Sequence, residues 1–168
     1  MIIIGIDPGI ATTGYGVISV QKSKLKKNNE KDSLKCLDFN CIETKKDLEF
    51  PKRLVILSQE IRRIVKYHQP DLVAVESLFF FQNKKTAIRV SQAIGVINFT
   101  LERMKALTIE YTPLQVKKSL TQDGWAKKDA VQGEVRNVLN IKEKIRPDDA
   151  ADALAIAICA ARHYWQKN

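Results

Sequence analysis

The sequence predicts an α/β fold, with a five-stranded mixed sheet flanked by helices in a single domain that spans residues 1–168. Short apolar runs rich in β-branched residues come first in close succession and later alternate with helical patterns, which is typical of a mixed sheet. We find no internal repeat, low-complexity tract or linker. Hydrophobic residues make up 45% of the chain and charged residues 28%, the balance of an ordinary globular domain.

The first part of the chain predicts a three-stranded meander. Residues 2–6 form an apolar strand that runs into the Asp7-Pro8-Gly9 turn, and residues 15–20 form the returning strand. The polar stretch from Lys22 to Lys31 is expected to be an exposed hairpin tip. Residues 34–42 alternate loosely and suit a third strand at a sheet edge.

The remaining chain predicts helices interleaved with two more strands. Residues 72–75 form a short apolar run that ends on Glu76, and residues 108–111 form the fifth strand. Helices are expected over residues 48–67, 83–105, 113–120, 128–139 and 148–165.

The charge indicates a polyanionic partner. A net charge of +9 and a pI near 9.5 favour nucleic acid, although a merely basic surface is the plainer alternative. The chain has no apolar run near the ~20 residues that span a bilayer, so we expect a soluble protein with no membrane partner. Three cysteines without CxxC spacing favour a reduced, cytoplasmic protein. Cys36 and Cys41, five apart in a strand, are expected on opposite faces of the sheet.

Four acidic residues are expected to meet at one edge of the sheet. Asp7 and Glu76 each follow an apolar strand, and parallel strands gather their carboxyl ends at one edge. Asp149 and Asp152 lie three apart at the start of a helix, so they share a face. The small residues that follow let this helix press closely on the sheet. Taken singly, Asp7 suits an ordinary turn, and Asp148 and Asp149 suit a helix cap.

Clustered carboxylates without nearby His or Cys favour a hard cation, either Mg²⁺ or Mn²⁺. A pair of such ions about 3.5–4 Å apart would activate water and stabilise the leaving oxygen of a phosphodiester. The acids and the basic charge together predict a metal-dependent phosphodiesterase that acts on nucleic acid.

Three blocks of sequence resemble the motifs of the RuvC family of Holliday junction resolvases. The first runs from Gly5 to Gly16 (GIDPGIATTGYG), the second is Glu76-Ser77-Leu78-Phe79 followed by Asn83, and the third is residues 149–155 (DAADALA). The blocks occur in the family's order and span nearly the whole chain. The third resembles the family motif closely.

This resemblance implies an RNase H-like fold and a Mg²⁺-dependent endodeoxyribonuclease that cuts four-way DNA junctions by paired symmetric nicks. It implies a homodimer and cooperation with a branch-migration complex of the RuvAB type. It assigns metal binding and catalysis to four acids: Asp7, Glu76, Asp149 and Asp152. Asp148 adds a fifth acid beside that site, and the stretch from Lys22 to Lys31 looks longer than usual for the family.

The resemblance also points to DNA contacts at Phe79, Lys117 and Lys128. Phe79 belongs to a run of three aromatic residues, and such runs are usually buried in the core. All three side chains cannot face the same way in an extended segment, so at least one should be exposed. An exposed Phe could wedge between unstacked bases at a branch point. Basic residues that can follow phosphates complete the expected DNA-binding set, beside the motif residue Asn83: Lys84, Lys85, Arg89, Lys118 and Lys127.

The long helix carries apolar residues on two sides. Val90, Ile94, Ile97 and Leu101 recur by three and four, a seam that predicts a dimer interface. Ile88, Val96 and Phe99 are left to pack on the sheet. The alternative is that the seam is buried beneath a neighbouring helix of the same chain. A two-fold dimer would suit the approximate two-fold symmetry of a four-way junction.

Three other functions remain in competition. One is an RNase H-like nuclease that acts on other branched DNA or on RNA–DNA hybrids, and another is a junction-binding module without catalysis. The third is an actin-like or sugar-kinase ATPase, whose phosphate loop also carries an Asp and glycines after a first strand. Such ATPases normally need two domains, for which 168 residues are too few.

Overall fold

The computed structural model describes residues 1–21, 33–77 and 84–166. It contains five strands: β1 (Ile2–Asp7), β2 (Thr12–Val20), β3 (Leu34–Glu43), β4 (Leu72–Glu76) and β5 (Thr108–Tyr111). Five helices accompany them: α1 (Phe50–His68), α2 (Lys84–Arg103), α3 (Pro113–Thr121), α4 (Lys128–Leu139) and α5 (Asp148–Gln166). The predicted fold class and element order are confirmed. The predicted tip at residues 22–31 lies outside the described residues.

The strands form one mixed sheet in the order β3-β2-β1-β4-β5. β1, β2 and β3 pair antiparallel as the predicted meander, and β3 is an edge strand as expected. β1 and β4 are parallel neighbours, with Ile6 opposite Val75. Their next residues, Asp7 and Glu76, therefore lie at the same edge of the sheet, as the sequence predicts.

Two layers of helices cover the sheet. Alternate residues of β1 and β4 point to opposite faces, so Ile3 packs with the core beneath α3, α4 and α5, while Ile4 packs beneath α1 and α2. The result is a three-layer α/β/α sandwich in which both sheet faces are buried.

Helix α5 lies at the centre of one layer. Every residue from Ala153 to Ala161 is buried, because the helix contacts β1 and β2 as well as the helices beside it. Glycines in the strands make this approach possible: a Cβ on Gly5 would lie 2.1 Å from the carbonyl oxygen of Ala153, and one on Gly14 would lie 2.0 Å from that of Asp149. The first turn of α5, which carries two of the acids, is thereby held against β1 and β2.

The predicted dimer seam on α2 is wrong, because most of it is buried within the chain. Val90, Ile97 and Leu101 belong to the core formed with α1 and the sheet, and Ile94 is half-buried. Ile88 and Phe99, which were expected to pack on the sheet, are instead 61% and 67% exposed. Both sides of α2 are apolar, so the periodicity alone could not show which side faces the core.

Cys36 and Cys41 also depart from expectation, since both pack against the same core beneath α5. The cause is an irregularity in the pairing of β2 with β3. Val17 is opposite Asp38 and Ile18 is opposite Cys36, so Leu37 is an extra residue in β3. One extra residue reverses which face the rest of the strand presents. All three cysteines are free thiols.

None of the helices in the described ranges combines the length and apolar character that a membrane crossing needs.

Candidate metal centre

Three of the four predicted acids converge at the carboxyl ends of β1 and β4. One carboxylate oxygen from each of Asp7, Asp149 and Asp152 lies within 4.8 Å of the other two. Glu76, at the end of β4, shares a hydrogen bond with Asp7 and thus joins the same site. Acids separated by up to 145 positions in the chain therefore form one cluster.

Local structure holds Asp7 in place. The turn that follows it is closed by Thr13, whose hydroxyl donates to the carbonyl oxygen of Gly9 at 2.7 Å. The buried Arg53 of α1 braces the same turn, because its guanidinium donates to the Ile10 carbonyl oxygen and to the Thr44 hydroxyl, both at 2.9 Å. Sequence reasoning missed Arg53, whose only signal was a charge beside the apolar stripe of a helix.

The electrostatics of the cluster favour a bound cation. Burial, together with the charges of Asp152 and Asp149, raises the pKa of Asp7 from 3.8 to about 7. Burial, together with the charges of Asp7 and Asp152, likewise raises the pKa of Glu76 from 4.5 to about 8. Near neutral pH the cluster therefore either keeps protons on Asp7 and Glu76 or gains a cation that lets all four carboxylates ionise.

Two lysines partly offset the negative charge. The Lys128 ammonium lies 2.7 Å from Asp152 and 3.9 Å from Asp148. This pairing limits the rise in the pKa of Asp152 that burial causes. Lys117 lowers the pKa of Glu76 and lines a cavity of about 240 Å³ together with Glu76, Lys128 and Asp152. Both lysines predicted from the family resemblance thus lie beside the acids.

The donor set fits a divalent cation. All candidate ligands are carboxylate oxygens, which Mg²⁺ and Mn²⁺ prefer, and the cluster carries more acids than its lysines neutralise. Asp148 is exposed and lies outside the group of three, although Lys128 reaches it.

The remaining predicted DNA contacts are only partly described. Phe79 and Asn83 lie outside the described residues, as do the side chains of Lys84 and Lys85. Arg89 is exposed, with its guanidinium 5.7 Å above the Phe50 ring. A larger cleft of about 940 Å³ runs between Arg89, Lys46 and Asp149, so basic side chains line a route to the acids. Lys118 and Lys127 are exposed on the other side of the cluster.

The raised pKa values predict that the metal-free protein loses stability as pH rises. A carboxyl with a higher pKa in the folded chain holds its proton there while the unfolded chain releases it, so the free energy of unfolding falls between about pH 4 and about pH 8. In EDTA we expect a melting temperature higher near pH 5 than near pH 8.5. Asp7→Asn should reduce this difference, by about 1 kcal/mol or more, because Asn does not titrate.

Differential scanning calorimetry of both proteins measures this effect. Subtracting the pH-dependent change in the variant from that in the wild type removes the contribution of titrating groups elsewhere in the chain. Mg²⁺ should restore stability near pH 8.5 in the wild type only, since a cation replaces the protons. Equal pH dependence in the two proteins would show that Asp7 titrates normally.

Comparison with known proteins identifies close relatives. The model of the family described as "Crossover junction endodeoxyribonuclease RuvC" matches residues 3–160. The protein with that name from Caldicellulosiruptor saccharolyticus is 45% identical over 159 residues, which cover 95% of this chain and 91% of the relative.

Solved structures of RuvC have a fold similar to that of this chain. The RuvC structure from Thermus thermophilus superposes with a TM-score of 0.86 at 29% identity, covering 99% of this chain and 97% of that one. The structure of the same protein in complex with a Holliday junction substrate gives a TM-score of 0.85 at 28% identity, covering 99% and 96%.

Proposed function

Because the chain belongs to the RuvC family of crossover junction endodeoxyribonucleases, we propose that it resolves four-way Holliday junctions by paired symmetric nicks. The observation that carries the proposal is the convergence of Asp7, Asp149 and Asp152, with Glu76 hydrogen-bonded to Asp7. The rest of the fold serves to hold these acids together. We further propose that residues 1–168 form one nuclease domain, since all five strands belong to one sheet.

The four acids are proposed to hold divalent cations, Mg²⁺ first and Mn²⁺ as a substitute, two in each site. Such a pair supplies an activated water and stabilises the oxygen that leaves the phosphodiester. Asp7 is central, because its carboxylate neighbours both Glu76 on the sheet and the two acids of α5. Lys128 pairs with Asp152 in the cation-free protein. Once Asp152 binds a cation, the Lys128 ammonium can contact a DNA phosphate instead.

Basic side chains on both sides of the acids are proposed to guide the DNA backbone. Lys117 and Lys118 lie on α3, Lys127 directly precedes α4, and Arg89 lies on α2. Such contacts position the backbone without reading sequence and weaken as salt increases. The proposed DNA-binding set also keeps, from the sequence, Phe79, Asn83, Lys84 and Lys85.

We propose a cytoplasmic location, which free cysteines and a DNA substrate both fit. The proposed protein partner is a branch-migration complex of the RuvAB type.

The test is a comparison of three substrates that share one sequence: a synthetic four-way junction, a linear duplex and an RNA–DNA hybrid. We expect symmetric nicks in two opposed strands of the junction, in Mg²⁺ and not in EDTA. Hybrid cleavage as efficient as junction cleavage would favour the rival RNase H-like nuclease. Tight junction binding without cleavage in Mg²⁺ or Mn²⁺ would favour the binding module.

We propose that the homodimer forms through the exposed side of α2, in place of the buried seam. Ile88, Gln92, Gly95 and Phe99 follow a spacing of four, three and four, which forms one stripe about 16 Å long. A Cβ on Gly95 would meet nothing within 4 Å, so this position leaves room for a second helix to approach closely. Exposed Ile88 and Phe99 lie at either end of the stripe.

Phe99→Glu should give a folded monomer, because a charge on this stripe would be desolvated by the partner helix. Ile97→Glu should instead unfold the chain, since it buries a charge in the core. Light scattering gives the mass and circular dichroism the fold of each variant. A Phe99→Glu protein that stays dimeric would place the interface elsewhere.

A further inference from the structure

An exposed tryptophan lies three residues before Lys128, which contacts the metal centre, and it has no part in the site described above. Trp125 is 82% exposed, in the loop between α3 and α4. An indole buries 150–250 Å² in an ordinary core, so leaving it in water forfeits a large hydrophobic contribution. An exposed aromatic of this size beside a site for DNA calls for a ligand that covers it.

The loop holds the backbone of Trp125 in a defined position. The Thr121 hydroxyl donates to the Asp123 carbonyl oxygen at 2.9 Å, and the Trp125 backbone N–H donates to the Asp123 carboxylate at 2.9 Å. The next residue, Ala126, is buried in the core, and its N–H donates to the Asp123 carbonyl oxygen at 3.3 Å. The loop is therefore tied down on both sides of Trp125, so little order need be lost when a ligand stacks on the ring.

The position of Trp125 relates it to the scissile bond. Trp125 and Lys128 are three residues apart, so their Cα atoms are at most about 11 Å apart. The Lys128 ammonium contacts Asp152 of the metal centre at 2.7 Å. The backbone of Trp125 is thus close to a residue that contacts the metal centre, so one DNA strand could meet both.

Exposed lysines lie on both sides of the loop that carries Trp125 and Asp123. Lys118 lies in the last turn of α3 and Lys127 directly precedes α4, and both are exposed. An aromatic ring between lysines suits a nucleic acid strand, because a base can stack on the ring while its phosphates meet the ammonium groups. A protein partner that buried this ring would also have to bury the lysines beside it.

We infer that Trp125 is a nucleobase-binding site, which stacks on an unpaired base of the junction strand next to the scissile phosphate. In a paired duplex each base face is covered by its neighbours, so the ring can engage only where the DNA is open. The site therefore favours a branch point over a linear duplex. This inference rests on the proposed function and adds a second aromatic contact, in the loop between α3 and α4, to the one predicted at Phe79.

The test uses Trp125→Ala, Trp125→Phe and a control, Tyr67→Ala, in the full-length protein. Tyr67 is 80% exposed at the end of α1, just before β4 begins, so it lies at the sheet edge opposite Glu76. Loss of a stacked base weakens binding by roughly 1–3 kcal/mol, which corresponds to about 5- to 150-fold in affinity. We expect Trp125→Ala to bind the junction at least 5-fold more weakly, with Trp125→Phe near wild type and Tyr67→Ala unchanged. Affinity for a linear duplex should change less than 2-fold in all three.

Intrinsic fluorescence gives a second measurement that a structural role would not affect. The chain has two tryptophans, so Trp165→Phe leaves Trp125 as the only indole. Junction binding should quench its emission, and an equal concentration of duplex should quench it far less. Two results together would overturn the inference, provided that the wild type cuts junctions. Trp125→Ala would bind the junction with wild-type affinity, and the emission of Trp165→Phe would not be quenched by the junction. A Trp125→Ala protein of altered mass in light scattering would overturn it too, since the ring would then contact a second copy. A wild type that neither binds nor cuts junctions would instead refute the proposed function.

Discussion

Asp7→Asn is expected to lower the rate of junction nicking in Mg²⁺ by at least about a thousandfold while leaving junction binding intact. The Asp7 carboxylate lies within 4.8 Å of those of Asp149 and Asp152 and shares a hydrogen bond with Glu76, so it contacts every other acid of the cluster. Asparagine keeps the shape but removes the charge that a divalent cation needs. Binding should persist, or become tighter, because one negative charge facing the DNA is lost.

The matched control for this variant is Asp148→Asn. Asp148 lies beside the site and within 3.9 Å of Lys128, yet outside the group of three carboxylates. Its loss should reduce nicking less than tenfold. Single-turnover cleavage of a labelled junction measures both variants. Asp7→Asn should also melt at a higher temperature than the wild type in EDTA near pH 8, because a poorly solvated charge is removed. Lost activity together with gained stability cannot be attributed to unfolding, whereas normal nicking by Asp7→Asn would refute the assignment of the site.

Gly5→Ala is expected to destabilise the protein by about 3 kcal/mol or more, which is roughly 6–12 °C in melting temperature for a chain of this size. A Cβ at this position would lie 2.1 Å from the carbonyl oxygen of Ala153 and 2.6 Å from the amide nitrogen of Ala157. Both atoms belong to the backbone of α5, which cannot rotate away as a side chain can. The helix must shift, and Asp149 and Asp152 shift with it. A displacement of about 1 Å costs on the order of a hundredfold in rate, so nicking should fall as well.

Gly133→Ala is the matched control for the glycine variant. A Cβ there would meet nothing within 4 Å, and the position lies inside helix α4. Alanine should stabilise that helix by about 0.5–1 kcal/mol without changing nicking. Thermal unfolding of both variants, each with and without Mg²⁺, measures the difference. If Gly5→Ala has the same melting temperature as the wild type, then α5 is not held against β1 as closely as the structure indicates.

Much of the site was predictable because its acids follow local patterns. Asp7 and Glu76 each end a short apolar strand, and the pairing of Ile6 with Val75 confirms that the two strands are parallel neighbours. Asp149 and Asp152 share a helix face by spacing alone. Lys117 and Lys128 entered through family resemblance, and the structure places both beside the acids. Arg53 could not be found in this way, because its partners Ile10 and Thr44 are brought to it by the fold.

By itself, the sequence determined the class of fold, the order of its elements and the four acids with their basic surroundings. These follow from periodicity, strand ends and motif spacing, which act over a few neighbouring residues. The side of α2 that faces the core, the common face of Cys36 and Cys41, and the exposure of Trp125 were decided only by tertiary structure. Each depends on what a segment packs against, or on a single extra residue in a strand, and neither is encoded in local hydrophobic pattern.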